Sequence, residues 1–164
     1  MANPGSMNTL LVLTPLSGYN TPILTPYSVR GITQTLEPIT GTTSGSNVMG
    51  TLVRRSVNGN LVDLTYPWFR KYASTVTCRD QETPCLDGTW LGEIVQVDCA
   101  CELSYPMGGT PQRPEMSGSS RTEVNAAGTI VFYRPQLVMM IVGINNSFSE
   151  WDAEYQWSIS MQEL

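Results

Sequence analysis

Near the end of the chain, apolar and polar residues alternate without a break. Trp151, Ala153, Tyr155, Trp157, Ile159 and Met161 are apolar, and Asp152, Glu154, Gln156, Ser158, Ser160 and Gln162 between them are polar. Side chains of a strand point to opposite faces in turn, so this pattern predicts one long strand with a buried and a wet face. Upstream, Leu137-Val138-Met139-Met140-Ile141-Val142 is apolar at every position. That run predicts a central strand covered on both faces, or one lying against a neighbouring subunit. The short polar connection Gly143–Ser149 makes the two an antiparallel pair at the middle of a sheet.

A second long alternation runs from Glu93 to Tyr105. Val95, Val97, Cys99, Cys101, Leu103 and Tyr105 fall on one face, and Gln96, Asp98, Ala100, Glu102 and Ser104 on the other. Val48–Val57 and Asn60–Leu64 flank Asn58-Gly59, a pair that favours a hairpin with a type I′ turn because both central positions take positive φ. Ser28–Leu36, with Ile32 and Leu36 on one side, and Ala73–Cys78 read as shorter strands.

The remaining stretches are connections. Glu37–Asn47 and Arg79–Gly92 carry Gly, Ser, Thr and Pro and read as loops. Residues 1–27 hold Pro4, Pro15, Pro22 and Pro26. Proline cannot donate to a ladder, so this is an extended N-terminal arm or an edge piece, not a central strand. Pro106–Ala127 is long, rich in Gly, Pro and Ser and almost without apolar residues. It reads as a mobile surface loop, or as an arm ordered by a neighbour. No stretch carries a helical period. The expected fold is all-β: roughly seven to nine antiparallel strands in one domain over residues 28–164, as a β-sandwich or a jelly-roll-like barrel.

Composition adds an expectation about partners. Of 164 residues 41% are hydrophobic and only 14% charged, against roughly 25% charged in an average soluble domain. So few charges leave surface for other copies of the chain to cover, pointing to a homo-oligomer, unless Thr, Ser and Asn cover it instead. A net charge of −5 argues against nucleic acid as a partner. Five of the nine cations nevertheless cluster at Arg54, Arg55, Arg70, Lys71 and Arg79. They form either a solvated, ion-paired face with Glu150–Glu154 or a docking patch for an acidic partner. No run approaches the ~20 apolar residues of a membrane span. The first residues lack the cationic start and apolar stretch of a signal peptide, so the chain is expected to stay in a cytosol until release.

Catalysis finds little to work with. Histidine is absent, which removes Ser-His-Asp and Cys-His arrangements and the commonest general base near neutral pH. Phosphate-binding, dinucleotide-binding and nucleophile-elbow motifs are absent as well. Asp98 and Glu102 share a strand face, but four residues separate their backbones by about 13 Å. Glycosidase carboxylates sit ~5–9.5 Å apart. Asp80, Glu82 and Asp87 could gather around calcium but lack EF-hand spacing. Neither catalytic residues, nor a cofactor, nor a metal are assigned.

Cys78, Cys85, Cys99 and Cys101 lack zinc-knuckle spacing. Reduced buried thiols, a Cys78–Cys85 disulfide and a metal site all stay open. Asn145-Asn146-Ser147 matches a glycosylation acceptor, which matters only on a secretory route. Trp151 and Trp157 are expected in the core. Trp68, Phe69 and Trp90 lie at corners; with Arg54, Arg55, Arg70 and Lys71 they are the candidate partner-contact residues, and Trp68 and Trp90 could also stack on a sugar.

Three stretches carry a family likeness: Arg54–Leu64, Phe69–Cys78, and Phe132-Tyr133-Arg134-Pro135 with Glu150–Ala153 and Trp157. They resemble small virion structural proteins of tailed bacteriophages, over about two thirds of the chain. The resemblance implies a non-enzymatic, many-copy virion subunit. It would be a capsid cement or decoration protein on the head, or else a tail or head–tail connector component. Its partners would be copies of itself and the major capsid protein or neighbouring tail proteins, assembled in a bacterial cytoplasm. A carbohydrate-binding β-sandwich that recognises a cell surface is the rival expectation. The family supplies no functional residues to carry over.

Overall fold

A computed structural model describes residues 10–16, 32–39, 53–63, 70–80, 86 and 88–164, with the backbone alone for Val53, Arg54 and Asp80. The described chain is all-β and free of helix. Its eleven strands are β1 (Val12–Pro15), β2 (Ile32–Pro38), β3 (Val53–Arg55), β4 (Leu61–Asp63), β5 (Tyr72–Asp80), β6 (Ile94–Asp98), β7 (Leu103–Pro106), β8 (Arg121–Asn125), β9 (Gly128–Tyr133), β10 (Gln136–Ser149) and β11 (Glu154–Glu163). All pair antiparallel, in a six-stranded sheet ordered β1-β6-β10-β11-β5-β2, a three-stranded sheet ordered β7-β9-β8, and the β3-β4 hairpin. The architecture is β-sandwich-like, as the alternating patterns imply.

β10 and β11 occupy the middle of the large sheet, where the sequence puts them. Alternation sends every second residue into one core: Val76, Val95, Val97, Leu137, Met139, Ile141, Trp157, Ile159 and Met161 are all buried, and Ile32 and Leu36 pack against them. Each such side chain contributes roughly 1.5–3 kcal/mol on burial. The run 137–142, however, is not covered on both faces. Leu137, Met139 and Ile141 are buried, while Val138 and Val142 are 42% and 45% exposed.

The expected strand Glu93–Tyr105 is two strands joined by a corner. β6 pairs with β10 up to Asp98↔Gln136, and β7 pairs with β9 from Leu103↔Tyr133. Four residues, 99–102, therefore stand opposite two, 134–135. The surplus bends a single antiparallel ribbon from the large sheet into the small one, as bulges do. Cys99 N–H donates to Pro135 O at 3.1 Å inside the bend. The two amides that follow are taken up from another strand: Gln34 Oε1 accepts Ala100 N–H at 2.7 Å and Cys101 N–H at 3.3 Å. Gln34 Nε2 in turn donates to the buried Ser74 Oγ.

Two expected boundaries move. Within residues 1–27, expected as an extended arm or an edge piece, β1 is an edge strand of the large sheet paired with β6, and Leu11 and Leu13 belong to the core. Within Pro106–Ala127, residues 121–125 form β8, and the preceding loop is tied down over the corner. Met116 N–H donates to Arg134 O and Gln136 N–H to Pro114 O, both at 2.8 Å, and Arg134 N–H donates to Ser119 Oγ. The sparsity of apolar residues is real, but backbone pairing replaces it.

The hairpin at Asn58-Gly59 forms with a different turn. Gly59 has φ +80° and Asn58 is not in the positive region. Gly59 N–H donates to Ser56 O, and Ser56 N–H to Asn60 O. This is the three-residue connection in which an ordinary turn precedes a left-handed glycine, so one positive φ suffices where two were expected.

Candidate functional site

Of the seven candidate contact residues, Arg55, Arg70, Lys71 and Trp90 have described side chains, and each makes its own local contact. Arg55 spends its guanidinium on its own hairpin, donating to Gly59 O at 3.0 Å. Arg70 lies 3.5 Å from Asp63 Oδ2, a pair with both members well exposed. Lys71 Nζ donates to Leu164 O. Arg54 carries a described backbone only, while Trp68 and Phe69 lie outside the described residues. Trp90 is 74% exposed, on a turn whose N–H reaches Glu93 Oε2 at 3.4 Å.

One arginine that the sequence reading left inside a loop is built into the fold. Arg113 Nε lies 2.6 Å from Glu163 Oε1, and its Nη2 donates to Glu163 Oε2 at 3.1 Å and to Arg70 O at 2.6 Å. Glu163 also accepts the Tyr72 N–H at 2.8 Å, and the guanidinium sits 5.3 Å from the Tyr72 ring centre. This mostly buried ion pair fastens the 107–120 loop to β11 and the start of β5. A lone Arg between Gln112 and Pro114 gives no sequence signal of it.

Titratable groups elsewhere are likewise engaged. Asp98 accepts from Gln136 Nε2 at 2.7 Å. The Arg121 hydrogen bond holds the Glu102 carboxyl below its ordinary range, and Arg121 also pairs with Glu123. The two carboxylates weighed as a catalytic pair thus serve different sheets. Burial pushes the Cys99 thiol up to about 12, opposed by its Gln34 contact, and also raises the half-buried Cys101. An unbroken strand would have put both on the same buried face; at the bend Cys99 is fully buried while Cys101 is half-buried, its Sγ donating to Gln34 O at 3.1 Å. Cys78 is a buried thiol. Cys85 and the acidic residues Glu82 and Asp87 lie outside the described residues, as does the Asp80 side chain.

Among the described residues, one open edge lies inside the large sheet, along β10. Its first half has a neighbour on each side: β6 at 136–140 and β11 at 139–149. The β6 side ends with Gly92 N–H donating to Ile141 O and Ile141 N–H to Glu93 O. An irregularity between Ile141 and Gly143 follows. From there to Ser149, no described strand lies on that side, so alternate N–H and C=O groups face outwards. Exposed apolar residues sit at both ends of this edge. Trp90 (74%), Leu91 and Val142 flank Ile141; Phe148 and Trp151 (98%) mark the far end.

Trp151 is therefore not a core residue. β10 ends at Ser149 and β11 starts at Glu154, which leaves Trp151 in the connecting turn, where Ala153 takes φ +48° and Ser149 Oγ meets Asp152. Alternation continues through the turn in sequence but not in space. Phe148 and Tyr155 face each other across the hairpin with ring centres 6.5 Å apart. On the sheet's outer face, Thr33, Thr77, Arg79, Asn145, Ser147, Gln156 and Ser158 line a depression of about 540 Å³.

No protein-family model, curated protein or solved structure matches the chain.

Proposed function

We propose that this chain is a non-enzymatic structural subunit of a bacteriophage particle, placed on the outer capsid surface as a cement protein that bridges shell subunits. One observation carries the reading: aromatic and aliphatic side chains stand exposed at both ends of a strand edge that no described strand covers. Large apolar side chains exposed beside an unpaired strand edge are a mark of protein–protein contact. The net charge of −5 suits an outer shell position better than contact with DNA. The likeness to tailed-phage virion proteins points the same way. A tail or head–tail connector position uses the same edges.

Purified protein mixed with emptied phage heads tests this. Saturable binding, seen as added density in negative stain and as resistance to thermal disruption, supports the cement role. Rings or tubes formed by the protein alone move it to the tail. Absence of both overturns the structural reading. The outer-face depression, lined by hydroxyl and amide groups and one arginine together with Cys78 and Trp157, favours a second reading as a carbohydrate-binding module. A glycan array without hits removes it.

A further inference from the structure

We infer that residues 142–149 of β10 are the seam of a two-fold dimer, in which this edge pairs antiparallel with the same edge of a second copy. The inference rests on the reading that copies of the chain associate and names where they meet.

Three observations select a second copy as the occupant. First, beyond the irregularity between Ile141 and Gly143, the edge lacks the usual protection. Val142-Gly143-Ile144-Asn145-Asn146-Ser147-Phe148-Ser149 contains no charge and no proline, the devices by which edges normally repel another strand. Its own copy therefore meets no like charge.

Second, the segment is self-complementary in one register. Ile144 and Phe148 lie opposite Ile159 and Tyr155, while Asn145 and Ser147 lie opposite Ser158 and Gln156. Residues opposite each other in an antiparallel pair share a face. A two-fold that keeps the faces must therefore pass through a residue, not between two. Centred on Asn146, it sets Ile144 against the other copy's Phe148 on one face, twice over. Asn145 meets Ser147 on the other face, and the Asn146 amides meet each other. Centred on Ser147 instead, it would set Ile144 against Glu150; centred on Asn145, it would set Ile144 against Asn146.

Third, the ends fit. The same register brings the turn Glu150–Ala153 of one copy to the Val142 end of the other. Trp151, 98% exposed, then arrives beside Trp90 and Leu91, which flank Ile141 through the Gly92 N–H bond. Two strands so joined make one continuous sheet across the pair, an isologous contact in which backbone bonds give affinity and paired side chains give register.

Sedimentation analysis over a range of concentrations tests the seam. The double variant Asn145→Lys/Ser147→Lys sets like charges opposite each other across the two-fold. Gln156→Lys, on the same face but one strand inwards, is the control. The wild type and the control should dimerise, and the double variant should be weakened by at least about tenfold, with faster amide exchange across 143–149. Trp151→Ala, in an exposed turn where folding does not depend on it, should weaken the dimer by about threefold or more. A wild type that stays monomeric, or a double variant that dimerises like the control, overturns the seam. Binding to heads or tails is read separately: a monomer that decorates heads sinks the seam and keeps the structural role, and a β10-joined dimer that binds neither does the reverse.

Discussion

The large and small sheets share one bent ribbon but are held by different forces. In the large sheet the inward positions at the centre of β5, β6, β10 and β11 are buried, from Val76, Val95 and Ile141 to Ile159, down to Ser74, which Gln34 satisfies. In the small sheet β8 is exposed along its whole length, Val124 to 80%. What holds it is edge chemistry: Tyr105 against Tyr133 with ring centres 5.6 Å apart, Arg121 stacked 4.3 Å over Phe132, and Arg121 bound to Glu102 at 2.8 Å. Pairing alone makes a strand; only burial makes it expensive to open. The small sheet should therefore exchange its amides by local opening, and the large one only by global unfolding.

The sharpest way to break that contrast is at the core. Ile159→Ala, at a fully buried site, should cost about 2–5 kcal/mol in denaturant unfolding. A cost as small as a surface change would mean the large sheet has no privileged core. Next comes the corner between the sheets. Gln34→Ala strips the Ala100 and Cys101 amides of their acceptor and should cost about 1–3 kcal/mol, the usual toll of a buried unsatisfied group. Exchange at residues 99–102 should quicken with it.

Alkaline pH offers a smaller, graded test. The Cys99 thiol is raised from 9.0 to about 12 in the fold, so the unfolded chain loses this proton first. Stability from this group is complete below about pH 9 and drains away as pH climbs towards about 12. Between about pH 8 and about pH 10.5 the wild type should lose up to about 2 kcal/mol more than Cys99→Ala does. Equal slopes would place the thiol in water. Least of all, Arg121→Ala should leave the unfolding midpoint unchanged while β8 amides exchange faster. A marked drop in midpoint would show the small sheet to be part of the cooperative unit.

Periodicity made the large sheet legible, because its strands have one wet and one dry side. β10, β11 and β6 could be placed from Leu137–Val142, Trp157–Met161 and Val95–Val97 alone. The corner was not legible. Cys99, Ala100 and Cys101 keep the alternation while the backbone turns, and the two surplus residues show only when Asp98 and Leu103 are matched to Gln136 and Tyr133. Trp151 misled for the same reason, since a turn can interrupt a period without changing it. The anchoring of the loop 107–120 is invisible in composition, because it rests on main-chain groups of Arg134 and Gln136 and a single Arg113–Glu163 pair. Of the open edge, the exposed tryptophan at 90 was singled out from its corner position. Asn145 to Phe148 passed as a polar connection, because an unpaired edge depends on how far a neighbouring strand reaches.

The surplus of two residues at 99–102 acts as a length-coded angle. Removing two of these residues would let the strands from Ile94 to Pro106 run straight beside those from Ile130 to Met140, as one flat hairpin. The orientation of one β layer to the other is thus written as a residue count, at a corner where Cys99 is the member of the core.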